Sequence, residues 1–343
     1  MVEAICKELY LRRNFLQQDE IKTIYFGGGT PSLLEESDFD QIFEQIRSNY
    51  PLASSVEITV ECNPDDLDRA KLEDLKAAGV NRLSIGVQSF DGKVLSFMNR
   101  AHNEQEAKNA IVLAKEVGFD NITIDLIYGI PDTPSAYWQG QIEQLLALEV
   151  QHISAYCLTI ENNTLFGHLR TKGKMKLPED EISLEQFNYL VDRLQDNGFE
   201  QYEISNFAQE GYISQHNSAY WLNDKYLGIG PSAHSYNRKE RGWNIRNNHQ
   251  YIKSLNEGFI SYESEELTDK DKFNDYILTR LRTKWGIEKH TINEMLKNCP
   301  PNSFVSQLQK HLTNKNLIEH ESIICLTKQG KFVADKIAAD LFV

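Results

Sequence analysis

The sequence predicts an α/β protein built on a partial β/α barrel that lacks its first strand, followed by an α+β C-terminal domain with a winged-helix-like end. Three observations lead there. Strand-like and helix-like periodicities alternate through the first half of the chain, the pattern of right-handed βαβ units in a parallel sheet. No dinucleotide fingerprint accompanies them, which favours a barrel over a doubly wound sheet. Val2, Ile5 and Leu9 stand at helical spacing, so the chain opens inside a helix with no strand ahead of it.

The elements follow in order. Ile21 to Phe26 reads as a strand, after which Phe39, Ile42, Phe43 and Ile46 repeat along one face of a helix. Val56 to Glu61 is a second strand, and Asp65 or Asp66 is placed to cap a helix that carries Leu72 and Leu75 and stops at Gly79. Val80 to Val87 is a third strand, with helical stretches after it that end at Gly118. Ile122 to Ile127 is a fourth, Pro134 to Leu148 a helix, and Ile153 to Leu158 a fifth strand.

Beyond about Phe166 the alternation stops. Lys172 to Pro178 is a polar connector, and Leu184, Phe187, Leu190, Val191 and Leu194 mark a helix. Gln201 to Asn248 reads as irregular, rich in Gly, Asn, Tyr and Trp. Helices then lead to Leu317-Ile318-Glu319, a β-like Ser322 to Leu326 and a closing helix from Lys328, the order of a winged helix. The expected domains are therefore 1–170, the barrel; 171–264, a linker and irregular region; and 265–343, a helical C-terminal module.

Composition narrows the function classes. With 41% hydrophobic and 25% charged residues, a disordered chain, a collagen and a coiled coil are excluded. The 36 basic residues against 50 acidic ones give a net charge of −14, which argues against a nucleic-acid partner. Charges nearly balance in the C-terminal module, so it reads as a packing unit and not a DNA reader. No apolar run reaches the roughly 18 residues of a membrane span, and no export signal opens the chain, so a cytoplasmic protein is expected. Cys6, Cys62, Cys157, Cys299 and Cys325 are scattered and odd in number, which fits neither a disulfide framework nor a metal knuckle.

Ligands of β/α barrels bind at the C-terminal ends of the strands. Those ends read Gly27-Gly28-Gly29-Thr30-Pro31, Glu61-Cys62-Asn63-Pro64 and Gln88-Ser89-Phe90. Asp125 before Tyr128-Gly129-Ile130-Pro131 comes next, then Thr159 and Glu161. A polar or glycine cluster at every strand end suggests a polar ligand with several groups. The glycine run lets a ligand approach the backbone, or makes a tight turn with no ligand. Glu61 and Asp125 suit ribose hydroxyls or an ammonium group; helix capping, or a salt bridge with Arg82 or Arg100, is the other reading. A second constellation is His216-Asn217-Ser218-Ala219-Tyr220-Trp221, followed by Tyr226 to His234. A histidine among aromatics suits an axial haem ligand, or else a hydrogen-bonded structural histidine beside a core Tyr-Trp pair.

Taken together these strings resemble a known family. Tyr25-Phe26-Gly27-Gly28-Gly29-Thr30-Pro31-Ser32 is similar to the signature of radical S-adenosylmethionine (SAM) proteins related to oxygen-independent coproporphyrinogen III oxidase. Glu61-Cys62-Asn63-Pro64, Leu83 to Phe90 and Asp125 to Pro131 follow it in order and spacing. Leu158-Thr159-Ile160-Glu161 through Leu165-Phe166, with His216-Asn217-Ser218-Ala219-Tyr220-Trp221, resembles a narrower branch, the haem chaperones called HemW.

The resemblance implies a radical SAM partial barrel that binds SAM over a [4Fe–4S] cluster. It implies that Gly28, Gly29 and Thr30 hold the methionine end of SAM, that Glu61, Gln88, Arg100 and Asp125 complete the polar contacts, and that His216 binds haem. The function implied is haem binding and transfer to an acceptor protein; the alternative is the oxidase, which decarboxylates a porphyrinogen by radical chemistry. One departure is plain. The family holds its cluster with a C-x-x-x-C-x-x-C loop after the first barrel strand, and nothing in this sequence supplies those thiolates. Either that segment belongs upstream of Met1 or the chain is a variant without a cluster. As it stands the chain is expected to be non-catalytic.

Overall fold

The structure, a computed structural model, describes residues 1–161, 165–173, 175, 178–299 and 303–343. Parts of two segments singled out above, residues 162–164 before Phe166 and residues 174, 176 and 177 of the polar connector, lie outside the described residues. The chain forms two compact units. One comprises Met1–Ile24, Leu34–Glu57 and Ser214–Val343; the other comprises Tyr25–Leu33 and Ile58–Ile213.

The βα alternation is present as read. The strands β1 (Ile21–Phe26), β2 (Leu52–Cys62), β3 (Arg82–Gln88), β4 (Ile122–Tyr128) and β5 (His152–Cys157) alternate with helices. These helices are α1 (Val2–Leu11) ahead of β1, α2 (Glu36–Asn49), α3 (Arg69–Ala77), α4 (Gly92–Phe97), α5 (Glu104–Val117) and α6 (Ser135–Leu146). After α7 (Leu165–Thr171) and α8 (Asp180–Asp196), the short strands β6 (Glu200–Gln201) and β7 (Asn206–Ala208) return to the sheet. The sheet is a seven-stranded curled half-barrel in the order β1-β2-β3-β4-β5-β7-β6, parallel from β2 to β5 and antiparallel at β7 and β6. β3 is buried along nearly its whole length, as a strand covered on both faces must be.

Local chemistry explains the element ends, with one correction. The cap of α3 is Asp68, whose side chain accepts from the Lys71 amide, and neither Asp65 nor Asp66. Those two residues sit in the 3-10 turn Pro64–Asp66, because Pro64 at its first position starts a tight turn before the helix can begin. Gly118 ends α5 at φ +95°, where a side chain would strain the backbone.

The other unit begins with α1. Ala4, Glu8 and Leu9 are its buried residues, so Leu9 is buried as expected while Val2 and Ile5 are only half-buried. Glu8 is tolerated there because its carboxylate is saturated. It accepts from the Tyr251 hydroxyl at 2.6 Å, the Asn244 amide at 2.7 Å and the Gly230 backbone at 2.9 Å, with Arg12 at 3.4 Å. The stretch read as irregular is ordered: α9 (Gln215–Trp221), then β8 (His234–Tyr236) and β9 (Glu240–Asn244). After α10 (Asn248–Asn256), β10 (Tyr262–Glu266) completes a three-stranded antiparallel sheet in the order β10-β9-β8.

The C-terminal part runs α11 (Asp269–Leu281), β11 (Ile287–Glu288), α12 (Lys289–Asn298), α13 (Phe304–Thr313), β12 (Leu317–His320) and β13 (Ile323–Leu326). Its antiparallel sheet has the order β11-β13-β12, the helices-then-hairpin arrangement expected of a winged helix. The single closing helix expected from Lys328 is two, α14 (Lys328–Phe332) and α15 (Ala334–Asp340), broken at Val333.

Candidate functional site

Parallel strands in register bring their C-terminal ends to one rim, and the polar residues read from the sequence gather there. Glu61, on β2, is directly opposite Ser84 on β3. The Ser84 hydroxyl reaches across to both carboxylate oxygens of Asp125 on β4, at 3.4 and 3.5 Å. Glu61 and Asp125 thus face one another across Ser84. The Asp125 carboxyl is raised to about 6, first by burial and then by the neighbouring Glu61 charge, with Ser154, Arg82 and Ser84 pulling the other way. Neither carboxylate is in an ion pair with Arg82 or Arg100 among the described residues. Arg82 donates to the Thr123 hydroxyl, and Arg100 donates to the Asn63 side chain at 3.0 Å and the Gly86 carbonyl at 3.1 Å.

The glycine run is anchored to the same carboxylate. Tyr25 donates its hydroxyl to Glu61 Oε1 at 2.7 Å, and the Gly28 amide donates to Glu61 Oε2 at 3.0 Å. Burial and the adjacent Glu61 charge push the Tyr25 hydroxyl far above its ordinary range, so it stays a donor. Gly27 has to be glycine: a Cβ there would lie 2.5 Å from the Tyr25 ring and 2.7 Å from the Glu61 carboxylate. Gly28 has φ +75° with open space around it, and Gly29 and Thr30 are exposed beside it.

A hydrogen-bonded chain joins the loop to the next two strand ends. Ser32 donates to Asp66 at 2.7 Å, Asn63 donates to the same oxygen at 3.2 Å, and Asn63 in turn accepts from Arg100. Gly86 supplies the close approach that places Gln88 and Arg100 together. A Cβ there would be 3.0 Å from the Gln88 amide nitrogen and 3.3 Å from the Arg100 guanidinium. Gly28, Gly29, Thr30, Glu61, Gln88, Arg100 and Asp125 therefore share one rim. Tyr25, Ser32, Asn63 and Asp66 support it; Asp66 was expected only as a helix cap, and the other three had no individual role in the sequence. Asn63 and Tyr25 carried a signal, since both lie inside strings already singled out, but a bond between distant loops has no periodicity to betray it.

His216 belongs to the other unit, in the first turn of α9. Its Nδ1 is 2.8 Å from the Thr23 hydroxyl, and its ring meets Tyr220 edge-on at 5.1 Å. The Tyr220 ring meets Tyr226 at 4.6 Å, and Tyr226 is 6.0 Å from Tyr236. The helix start is held by Glu57, a buried carboxylate that accepts from the backbone of Gln215 at 3.0 Å and of His216 at 2.9 Å. Of the alternative reading, the hydrogen-bonded histidine is present in the bond to Thr23, but Tyr220 is 39% exposed and so forms no core pair with Trp221. Trp221 donates its indole to Asn217 at 3.1 Å and lies under the Arg282 guanidinium.

The radical SAM superfamily matches residues 9–139. The heme chaperone HemW of Bacillus subtilis (strain 168) is 36% identical over 323 residues, 93% of this chain and 85% of that protein. The heme chaperone HemW of Lactococcus lactis is 31% identical, over 96% of this chain and 86% of that protein. The chain belongs to the HemW family. Its fold is that of a solved coproporphyrinogen III oxidase, HemN from Escherichia coli, with a TM-score of 0.83 at 22% identity over 99% of this chain and 82% of that one.

Membership of the radical SAM superfamily implies SAM and a [4Fe–4S] cluster. The rim suits SAM, since two facing carboxylates and a glycine loop match a ligand carrying an ammonium, a sulfonium and hydroxyls. The described residues do not suit the cluster. Cys6, Cys62, Cys157, Cys299 and Cys325 are all free thiols, and no group of three or more His, Cys, Asp or Glu among the described residues could hold a metal ion. Burial drives the Cys62 thiol up to about 12, the opposite of what a thiolate ligand requires. No helix among the described residues is long and apolar enough to cross a membrane.

Proposed function

We propose that this protein is a haem chaperone that binds haem and passes it to an acceptor protein in the cytoplasm. The observation that carries the reading is the setting of His216. Ligating histidines direct one ring nitrogen to the metal and the other to a fixed partner. The Thr23 hydroxyl at Nδ1 is such a partner, so coordination would run through Nε2. Glu57 fixes the backbone at His216, and Tyr220, partly exposed, offers an aromatic edge to a flat apolar ring.

SAM is the ligand proposed for the rim. Gly28, Gly29 and Thr30 would receive its methionine end, and Glu61, Gln88, Arg100 and Asp125 its remaining polar groups. When bound, SAM brings a sulfonium and an ammonium, and the two carboxylates answer that charge. Glu61 keeps the glycine loop in place through the Gly28 amide, and Asp125 is ionised above pH 6.

Haem transfer is the test. The protein loaded with haem and mixed with an apo haem protein should lose its own absorption band as the acceptor gains one. Retention of haem against an excess of a tight acceptor would contradict a chaperone role.

A further inference from the structure

The end of β3 carries a strained turn. The Ser89 amide donates to the carbonyl of Val87 at 2.8 Å, and Gln88 between them has φ +65°. A bond from residue i+2 back to i around a positive φ is the rare, strained form of γ-turn. A residue other than glycine is strained there and persists only where its neighbours over-determine it. Sheet register also shifts at this point, between Ile85 and Gln88.

Two residues from the segment after α4 grip consecutive carbonyls of this turn. Arg100 donates to Gly86, as described, and His102 Nε2 lies 3.0 Å from the Val87 oxygen. A carbonyl only accepts, so Nε2 carries the hydrogen. His102 is 3% exposed, and its Nδ1 is buried without a hydrogen-bond partner, 3.6 Å from Asp65 Oδ1. Asp65 belongs to the turn after β2, whose Asn63 takes the other Arg100 bond. An apolar side chain could fill the same volume without the cost of burying an unsatisfied nitrogen. What the imidazole adds is the bond to Val87.

We propose that His102 is a positioning residue: its bond to the Val87 carbonyl holds the γ-turn that presents Gln88, and with Arg100 it clamps the end of β3 beneath the rim. The clamp itself stands on the turn geometry. Its consequence for a ligand rests on the SAM reading above.

A double-mutant cycle on the full chain separates the two. His102→Leu is compared with the unaltered chain by urea unfolding, with Gln88 present and again with Gln88→Gly. Glycine adopts a positive φ without strain. The loss on removing His102 should therefore shrink by about fivefold in the folding equilibrium constant when position 88 is glycine. His102→Gln, which keeps a donor, should recover part of the loss. Equal losses in both backgrounds overturn the proposal and leave His102 a packing residue. Should His102→Leu not fold, hydrogen exchange of the Ser89 amide in His102→Gln decides: protection falling more there than at Ile124 supports the clamp, and an equal change overturns it. S-adenosylhomocysteine binding is measured alongside. The SAM reading fails if the unaltered chain does not bind it, and the cycle still decides on the clamp.

Discussion

Asp125 makes the fold sensitive to pH. An unperturbed aspartate titrates near 3.8, whereas in the fold Asp125 keeps its proton to about 6. Between these values the folded state binds more protons than the unfolded one, so this residue's contribution falls as pH rises from about 4 to about 6 and is level above that. Asp125→Asn should remove the fall, seen as a flatter dependence of the urea midpoint on pH across that window. An unchanged profile would mean another group titrates there. Gly27→Ala is the complementary prediction. Its methyl would meet Tyr25 and Glu61 well inside contact distance, so about 1–3 kcal/mol of stability should be lost by overpacking. SAM binding should weaken with it, and calorimetry reads both. Individual rim residues were legible because barrel strands deliver their last residues to one end. Ser84 between the two carboxylates, and Asn63 between Asp66 and Arg100, were not, because a bond between loops far apart in sequence leaves no local pattern.

At the scale of elements, α9 depends on a residue outside itself. Glu57 and Ser214 serve its first amides, and only Ser214 is adjacent in sequence. Glu57→Ala should cost about 1 kcal/mol by leaving two partly buried helix-start amides unanswered, and it should loosen His216. Thermal melting reads the first effect, and broadening of the haem absorption band reads the second. A variant as stable as the parent would show that Glu57 does not hold this helix. The long βα alternation was readable because whole helices and strands average out local exceptions. The short elements were not: α9 has seven residues, and β6 to β8 have two or three each, too few for a period to show. Ser214 before Gln215 was nevertheless a readable start signal. α1 shows the opposite limit. Its stripe was placed by apolar residues alone, whereas a carboxylate with three donors and a nearby arginine fills the buried position at Glu8.

For the whole molecule, the chemistry expected divides between two units, each with its own constellation: the strand-end rim in one and His216 with its aromatics in the other. Among the described residues no set of thiolates gathers to hold a cluster, so with this chain SAM and a strong reductant should yield no 5′-deoxyadenosine above background. Chromatography of the reaction checks this, and clear formation of that product would contradict it. Haem handling is the central property, and the proposal places it on His216. The most direct measurement is a titration of haemin into the purified chain and into His216→Ala, followed by the Soret band. A saturable, stoichiometric shift is expected in the first, lost or weakened by at least about tenfold in the second. An identical shift in both would contradict the proposal.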